Sequence, residues 1–210
     1  IHSTFGRLYA NIKPFLTFKT PYQLLVAAIL SAQCTDKQVN KVTPKLFADC
    51  PEPRGIAELG VKGLIPYIHS CGFFNTKAKN IVAMSKKLLK KYHGKVPDDF
   101  DALLALPGVG EKTAGVLLSQ AFGRPAFPVD THVFRVARRL GLSKHKNPNK
   151  VSADLKRLFP SKRWRDLHMQ MILHGREVCQ ARKPRCSSCA LLKVCPEGER
   201  RSRARRTMGK

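Results

Sequence analysis

Apolar residues recur along this chain at three- and four-residue intervals, and no segment alternates with period two. The pattern therefore predicts helices nearly throughout and no strands. The longest apolar run, Leu24 to Leu30, suits a buried helix, and Thr20-Pro21 supplies its start, with Pro at the first helical position. Asp36 can cap a second helix through Val39, Val42 and Leu46. Asn75 can cap a longer one, in which Ala78, Ile81, Val82, Leu88 and Leu89 keep helical spacing up to Gly94. Lys77, Lys79, Lys86, Lys87, Lys90 and Lys91 occupy much of the rest of that helix and read as its solvated face. Asp98 or Asp99 opens a short helix to Ala105. Further helices are expected from Glu111 to about Phe122, Thr131 to Leu140, Asn149 to Leu158, and Ser161 to Val178. There is no internal repeat.

Composition narrows the class. The 210 residues are 43% hydrophobic, enough for a real core, and carry a net charge of +25. Such a charge points to a polyanionic partner, with nucleic acid ahead of a membrane surface, since no apolar run is long enough to span a bilayer. The segment from Arg200 to Lys210 holds five Arg, one Lys and no acid; the body remains basic without it, and this tail is expected to be disordered. The first residues carry no secretory signal pattern, and a start without Met suggests a trimmed N-terminus.

Three segments carry candidate chemistry. Cys179, Cys186, Cys189 and Cys195 are spaced C-x6-C-x2-C-x5-C, whereas Cys34, Cys50 and Cys71 are scattered and read as small buried hydrophobes. The odd total and the missing signal argue against disulfides, leaving zinc or a [4Fe–4S] cluster. A single tight pair flanked by two longer arms favours the cluster. The second segment, Leu103 to Leu118, places Pro107-Gly108-Val109-Gly110 between two helical patterns. Its glycines allow close backbone approach, and the N–H groups opening the next helix suit a DNA phosphate; a plain helix–turn–helix connection is the alternative. Lys112 falls in the first turn of that helix. The helix dipole disfavours a cation there, which favours a neutral, nucleophilic amine, although a phosphate contact would also account for it. In the third segment, Asp130 in Pro-Val-Asp-Thr-His is a natural N-cap and, on its own, needs no further role.

Taken together, Ile29-Leu30-Ser31-Ala32-Gln33, the hairpin Leu-Pro-Gly-Val-Gly-Glu-Lys-Thr-Ala, Val129-Asp130-Thr131-His132 and the four-Cys loop resemble the endonuclease III family of helix-hairpin-helix DNA glycosylases. The likeness runs from roughly Phe5 to Cys195. It implies an all-α fold of two helical domains with a cleft between them. One is a helical barrel over residues 20–127 that contains the hairpin. The other joins residues 1–19 to 128–198 and carries a [4Fe–4S] cluster on Cys179, Cys186, Cys189 and Cys195; residues 199–210 form the tail. It implies base-excision repair of oxidised pyrimidines in double-stranded DNA, with the damaged nucleotide flipped out of the duplex. In this reading Lys112 is the nucleophile at C1′ and Asp130 the assisting carboxylate. Their Schiff base leads to strand cleavage by β-elimination.

The resemblance also makes Pro107, Gly108, Val109 and Gly110 phosphate binders, with a monovalent cation on the carbonyls of Leu104, Leu106 and Val109. Gln33 would fill the gap left by the flipped nucleotide, and Phe73 would wedge into the duplex, although Phe73 and Phe74 also read as ordinary core. Arg182, Lys183 and Arg185 of the cysteine loop would touch phosphates. Lys112 together with Ala28 argues against the adenine-mismatch glycosylases, which lack that Lys and carry a Glu at the other position. The expectation is a monomeric bacterial enzyme of the cytoplasm and nucleoid, nuclear or organellar in a eukaryote. A noncatalytic iron–sulfur DNA-binding protein and a monofunctional glycosylase are the alternatives.

Overall fold

A computed structural model describes the backbone of residues 1–208 and the side chains through residue 203. Among the described residues there is no strand, and the all-α expectation holds. The chain divides into two compact units: residues 14–124 form one, and residues 1–13 join residues 125 onward to form the other.

After α1 (His2–Leu8), the middle unit builds up around α2 (Pro21–Leu30). Thr20 caps α2 by accepting the Gln23 N–H, and Pro21 occupies its first turn. Every residue from Tyr22 to Leu30 is buried, so this helix has no solvent face. Burying each large aliphatic side chain contributes roughly 1.5–3 kcal/mol relative to exposure, which makes α2 the main apolar anchor of the unit. Packed against it are α3 (Asp36–Asp49), α5 (Phe74–Tyr92) and α7 (Glu111–Gln120). The most extensive helix pair is α4 (Pro53–Ile68) with α5. The short α6 (Phe100–Leu104) leads into the turn before α7. Two polar ties cross this apolar core: Tyr22 Oη and Ser85 Oγ are 2.8 Å apart, and Lys77 Nζ donates to the Leu30 carbonyl at 2.7 Å.

In the other unit α8 (Thr131–Arg139) packs on α9 (Pro148–Leu158) and α10 (Trp164–Glu177), and α1 packs on α10. Phe5, fully buried, sets its ring edge-on to His174, with centroids 5.3 Å apart. The cysteine loop follows α10 and runs into α11 (Pro196–Met208). No helix of the described residues is long and apolar enough to cross a membrane.

Several expectations are corrected. Helices α1 and α4 were not visible in the apolar pattern. Gly60 interrupts α4 at φ 67°, and Gly55, Gly63 and Pro66 further blur its helical signature. Thr35, not Asp36, caps α3, and α5 starts at Phe74 with Asn75 inside it. Lys77 is buried rather than on a solvated face, because the α2 carbonyl end gives its ammonium a partner. The segment from Arg200, expected to be disordered, is helical to Met208. Pro196 starts that helix, and Glu197 in its first turn pairs with Arg200 and Arg201 at 2.9 and 2.7 Å.

The unit boundaries lie at 13/14 and 124/125 rather than 19/20 and 127/128. Asn40 takes the Thr17 N–H and donates to the Phe15 carbonyl, which fastens that stretch to α3. Phe127, in turn, accepts from Ser152 Oγ and meets the His168 ring edge-on.

Candidate functional site

The hairpin is built from α6, a six-residue turn over residues 105–110 and α7. Asp99 caps α6 by accepting the Ala102 N–H at 2.8 Å. The Val109 N–H donates to the Leu106 carbonyl at 3.1 Å, which closes the turn. Leu103, Leu106 and Val109 are buried and hold the hairpin to the core. Gly108 has φ 78°, and a Cβ there would come within 2.9 Å of Asn80 Cβ on α5, so both conformation and space require glycine. Gly110 is the N-cap of α7 and offers no side-chain cap. The N–H groups of the first turn thus lack an intrahelical partner and form an anion-binding end. Lys112 stands exposed on this turn, and Pro107 and Gly108 lie beside it in sequence.

A second feature of the same unit lies at the end of α2. Gln33 sits in the left-handed region (φ 51°), as does Phe73 (φ 58°) at the entrance to α5. A Cβ at Gly72 would lie 3.6 Å from the Gln33 carbonyl, and Gln38 Nε2 donates to Ser70 Oγ at 2.7 Å, so the two loops are neighbours. Phe73 is 66% exposed, which removes the ordinary-core alternative for it; Phe74 packs partly against the core. A large exposed aromatic beside an exposed amide is a surface suited to unstacked bases.

Asp130 belongs to the other unit and caps α8. Its Oδ1 accepts the N–H groups of His132 and Val133 at 2.9 and 2.8 Å. One carboxylate oxygen thus fixes the helix start.

The four cysteines of the loop line one cavity together with Arg139, His174, Leu192 and Gly198. Among the described residues no three His, Cys, Asp or Glu side chains form a group that could hold a metal ion. Donors face them. Arg139 Nη1 lies 3.5 Å from Cys179 Sγ, the Gly198 N–H donates to Cys195 Sγ at 3.3 Å, and His174 Nε2 lies 3.7 Å from Cys189 Sγ. Burial lowers the His174 pKa to about 4, so the ring is neutral near pH 7. Burial also pushes Tyr9 up to about 12, keeping its hydroxyl protonated and 3.0 Å from His174 Nδ1. Burial raises the thiols of Cys189 and Cys195, so neither is an intrinsic thiolate without a metal to stabilise it.

Sequence reasoning missed this supporting shell. Arg139 also binds the Gln180 and Ala181 carbonyls at 2.7 and 2.8 Å, and Arg135 binds those of Cys179 and Gly175 at 2.9 and 2.8 Å. Both come from α8. Arg182, Lys183 and Arg185 are exposed on the loop.

An all-helical chain with a glycine-rich hairpin, an exposed lysine opening the next helix and a four-thiol loop defines a class. Residues 26–161 match the model of the HhH-GPD superfamily of base excision DNA repair proteins, and the chain belongs to that superfamily. It is 49% identical to endonuclease III of Rickettsia conorii over 195 residues, covering 93% of each chain. Two solved structures, a non-covalent endonuclease III–DNA complex and a trapped endonuclease III–DNA covalent intermediate, each match with a TM-score of 0.92 and 41% identity, over 96% of this chain and 95% of theirs. Homologues at this identity and coverage support base-excision DNA glycosylase and AP lyase activity.

Proposed function

We propose that this chain binds double-stranded DNA, excises oxidised pyrimidines and cleaves the strand through Lys112. The observation that carries this reading is the placement of Lys112: an exposed amine on the first turn of α7, two residues after the N-cap Gly110, which has no side chain to cap the helix. A helix N-terminus holds a phosphate, so one element both positions DNA and carries the amine.

The chemistry follows from a neutral amine. Lys112 Nζ attacks C1′, the bond from C1′ to the base breaks, and the base leaves with that electron pair and takes up a proton. Loss of the amine proton gives a neutral aminal. The nitrogen lone pair then forms the iminium between C1′ and Nζ as the C1′–O4′ bond breaks, and the ring oxygen leaves with that electron pair and takes up a proton. This cation acidifies C2′; removal of a C2′ proton sends electrons into a new double bond, and the bond from C3′ to its phosphate oxygen breaks. Asp130 is proposed as the carboxylate that offsets positive charge on the sugar or accepts a proton through its oxygen not engaged in the cap. Pro107, Gly108, Val109 and Gly110 hold a phosphate. The carbonyls of Leu104, Leu106 and Val109 would take a monovalent cation; that of Leu106 keeps one lone pair beyond its bond to Val109. Gln33 and Phe73 fill the duplex where the nucleotide leaves.

Cys179, Cys186, Cys189 and Cys195 would hold a [4Fe–4S] cluster, which a donor set spread around a cavity favours over a single zinc ion. Bound there, the group supplies a structural cross-link for the loop, and Arg182, Lys183 and Arg185 on that loop contact phosphates. The protein acts as a monomer in the bacterial cytoplasm.

A duplex with one oxidised thymine tests the reading. Free base together with a β-eliminated 3′ end is expected; free base with an intact abasic strand would contradict the lyase step. Affinity should fall steeply with salt, since Lys and Arg displace counterions from phosphates.

A further inference from the structure

The two loops proposed to enter DNA share a pair of thiols. Cys34 follows Gln33 directly, and Cys71 stands two residues before Phe73. The two turns meet, since a Cβ at Gly72 would lie 3.6 Å from the Gln33 carbonyl, and this brings Cys34 and Cys71 near one another and near the Lys77 ammonium. Lys77 is itself anchored to the Leu30 carbonyl at 2.7 Å, at the end of the helix that leads into Cys34. The Cys34 N–H donates to Ser31 at 3.1 Å and the Cys71 N–H to Ile68 at 2.8 Å, so each cysteine belongs to a tight turn at a helix end. Neither thiol has a part in the proposed chemistry or in the four-cysteine loop.

Accessibility divides their roles. Cys71 is fully buried and Cys34 partly exposed. A reagent from solvent therefore meets Cys34 first, and Cys71 waits behind it as the resolving group. Burial pushes the Cys71 thiol up to about 11, so it is a poor first nucleophile, and the nearby ammonium counteracts part of that rise.

We propose that Cys34 and Cys71 are a thiol modification site, at which a low-molecular-weight disulfide such as glutathione disulfide closes a disulfide joining the Gln33 loop to the Phe73 loop. The Cys34 thiolate attacks one sulfur of glutathione disulfide, forming a mixed disulfide and expelling one glutathione thiolate. The Cys71 sulfur then attacks the Cys34 sulfur and expels the second. The protein loses two electrons and two thiol protons, and glutathione disulfide gains them as two glutathione molecules. The cross-link fixes Gln33 and Phe73 to one another. On the DNA reading above, on which this consequence rests, both must move as a nucleotide leaves the stack, so the oxidised protein loses lesion cleavage and recovers it on reduction.

The test uses the holoprotein, incubated with glutathione disulfide in the absence of DNA. Intact mass and peptide mapping are expected to show the loss of two hydrogens and a Cys34–Cys71 linked peptide. Cys34→Ser should give no link and no adduct, while Cys71→Ser should stop at one glutathione on Cys34. A stable glutathione adduct on Cys34 in the unsubstituted protein, or no reaction, would overturn the site. Lesion cleavage by oxidised, re-reduced and Cys34→Ser protein, the last treated with the same reagent, is then compared. A reversible loss confined to the unsubstituted protein supports the coupling, and a linked protein with unchanged cleavage overturns it. Because the mass readout needs no DNA, failure of the thiol site is distinguished from failure of the repair reading.

Discussion

Two helices that pack on one another in the middle unit, α2 and α7, each have a lysine at one terminus, supplied by α5 in the first case and by the helix itself in the second, with opposite results. Lys77 lies buried at the carbonyl end of α2 and donates to Leu30. There the helix dipole favours the cation, which offsets part of the burial penalty. Lys112 stands exposed at the amide end of α7, with no buried carbonyl to hold it. One residue type therefore yields a structural clamp at one terminus and a candidate nucleophile at the other. The chain carries 39 Lys and Arg, so a count of cations could not have separated these two; helix polarity does.

The comparison can be broken at several points. The largest effect is expected at Lys112. Lys112→Ala should lower strand cleavage by roughly three or more orders of magnitude, as loss of a covalent nucleophile does, while DNA affinity and melting temperature change little. A variant that lost binding and cleavage in parallel would make Lys112 a phosphate contact. Acid should act next, through His174. Its pKa lies below its ordinary 6.5, at about 4. Between those values the unfolded chain binds the extra proton, so stability is full above pH 6.5 and declines as pH falls towards 4. A shift of that size sets an upper bound of about 3 kcal/mol, read by urea unfolding across that range. In His174→Gln the decline should be shallower.

Lys77→Met should destabilise the fold by about 1–3 kcal/mol, because the Leu30 carbonyl is left buried without its donor. Lys112→Met, by contrast, should leave stability nearly unchanged, and equal losses would erase the distinction between the two termini. A small change in stability is also expected for Asp130→Asn. Asn caps as well as Asp, so unfolding should shift by only a few tenths of a kcal/mol while cleavage falls. Asp130→Ala should lose the cap as well, at about 1 kcal/mol.

How legible each feature was in the sequence depended on whether its cause was local. Thr20-Pro21, Asp99 and Asp130 announced helix starts because a cap acts within three residues, and all three cap in the structure. The uninterrupted apolar run at Leu24 marked the buried helix for the same reason. Helix α4 was hidden because its glycines and Pro66 contradict helical propensity, and packing against α5 overrides them. Lys77 misled because its partner is 47 residues away, where no spacing rule reaches. The four cysteines were visible as a motif, but Arg139 and His174 come from α8 and α10 and meet the loop only in the folded unit. The tail was misjudged on charge alone; Glu197 pairs with two of its arginines and starts a helix.

The central claim is that the Lys112 amine becomes covalently joined to the sugar. Borohydride added during turnover of a duplex with one oxidised thymine, followed by digestion and mass mapping, tests it most directly. The account predicts a stable protein–DNA adduct on Lys112 that is absent from Lys112→Ala. An adduct on another residue, or base release with no adduct, would contradict it.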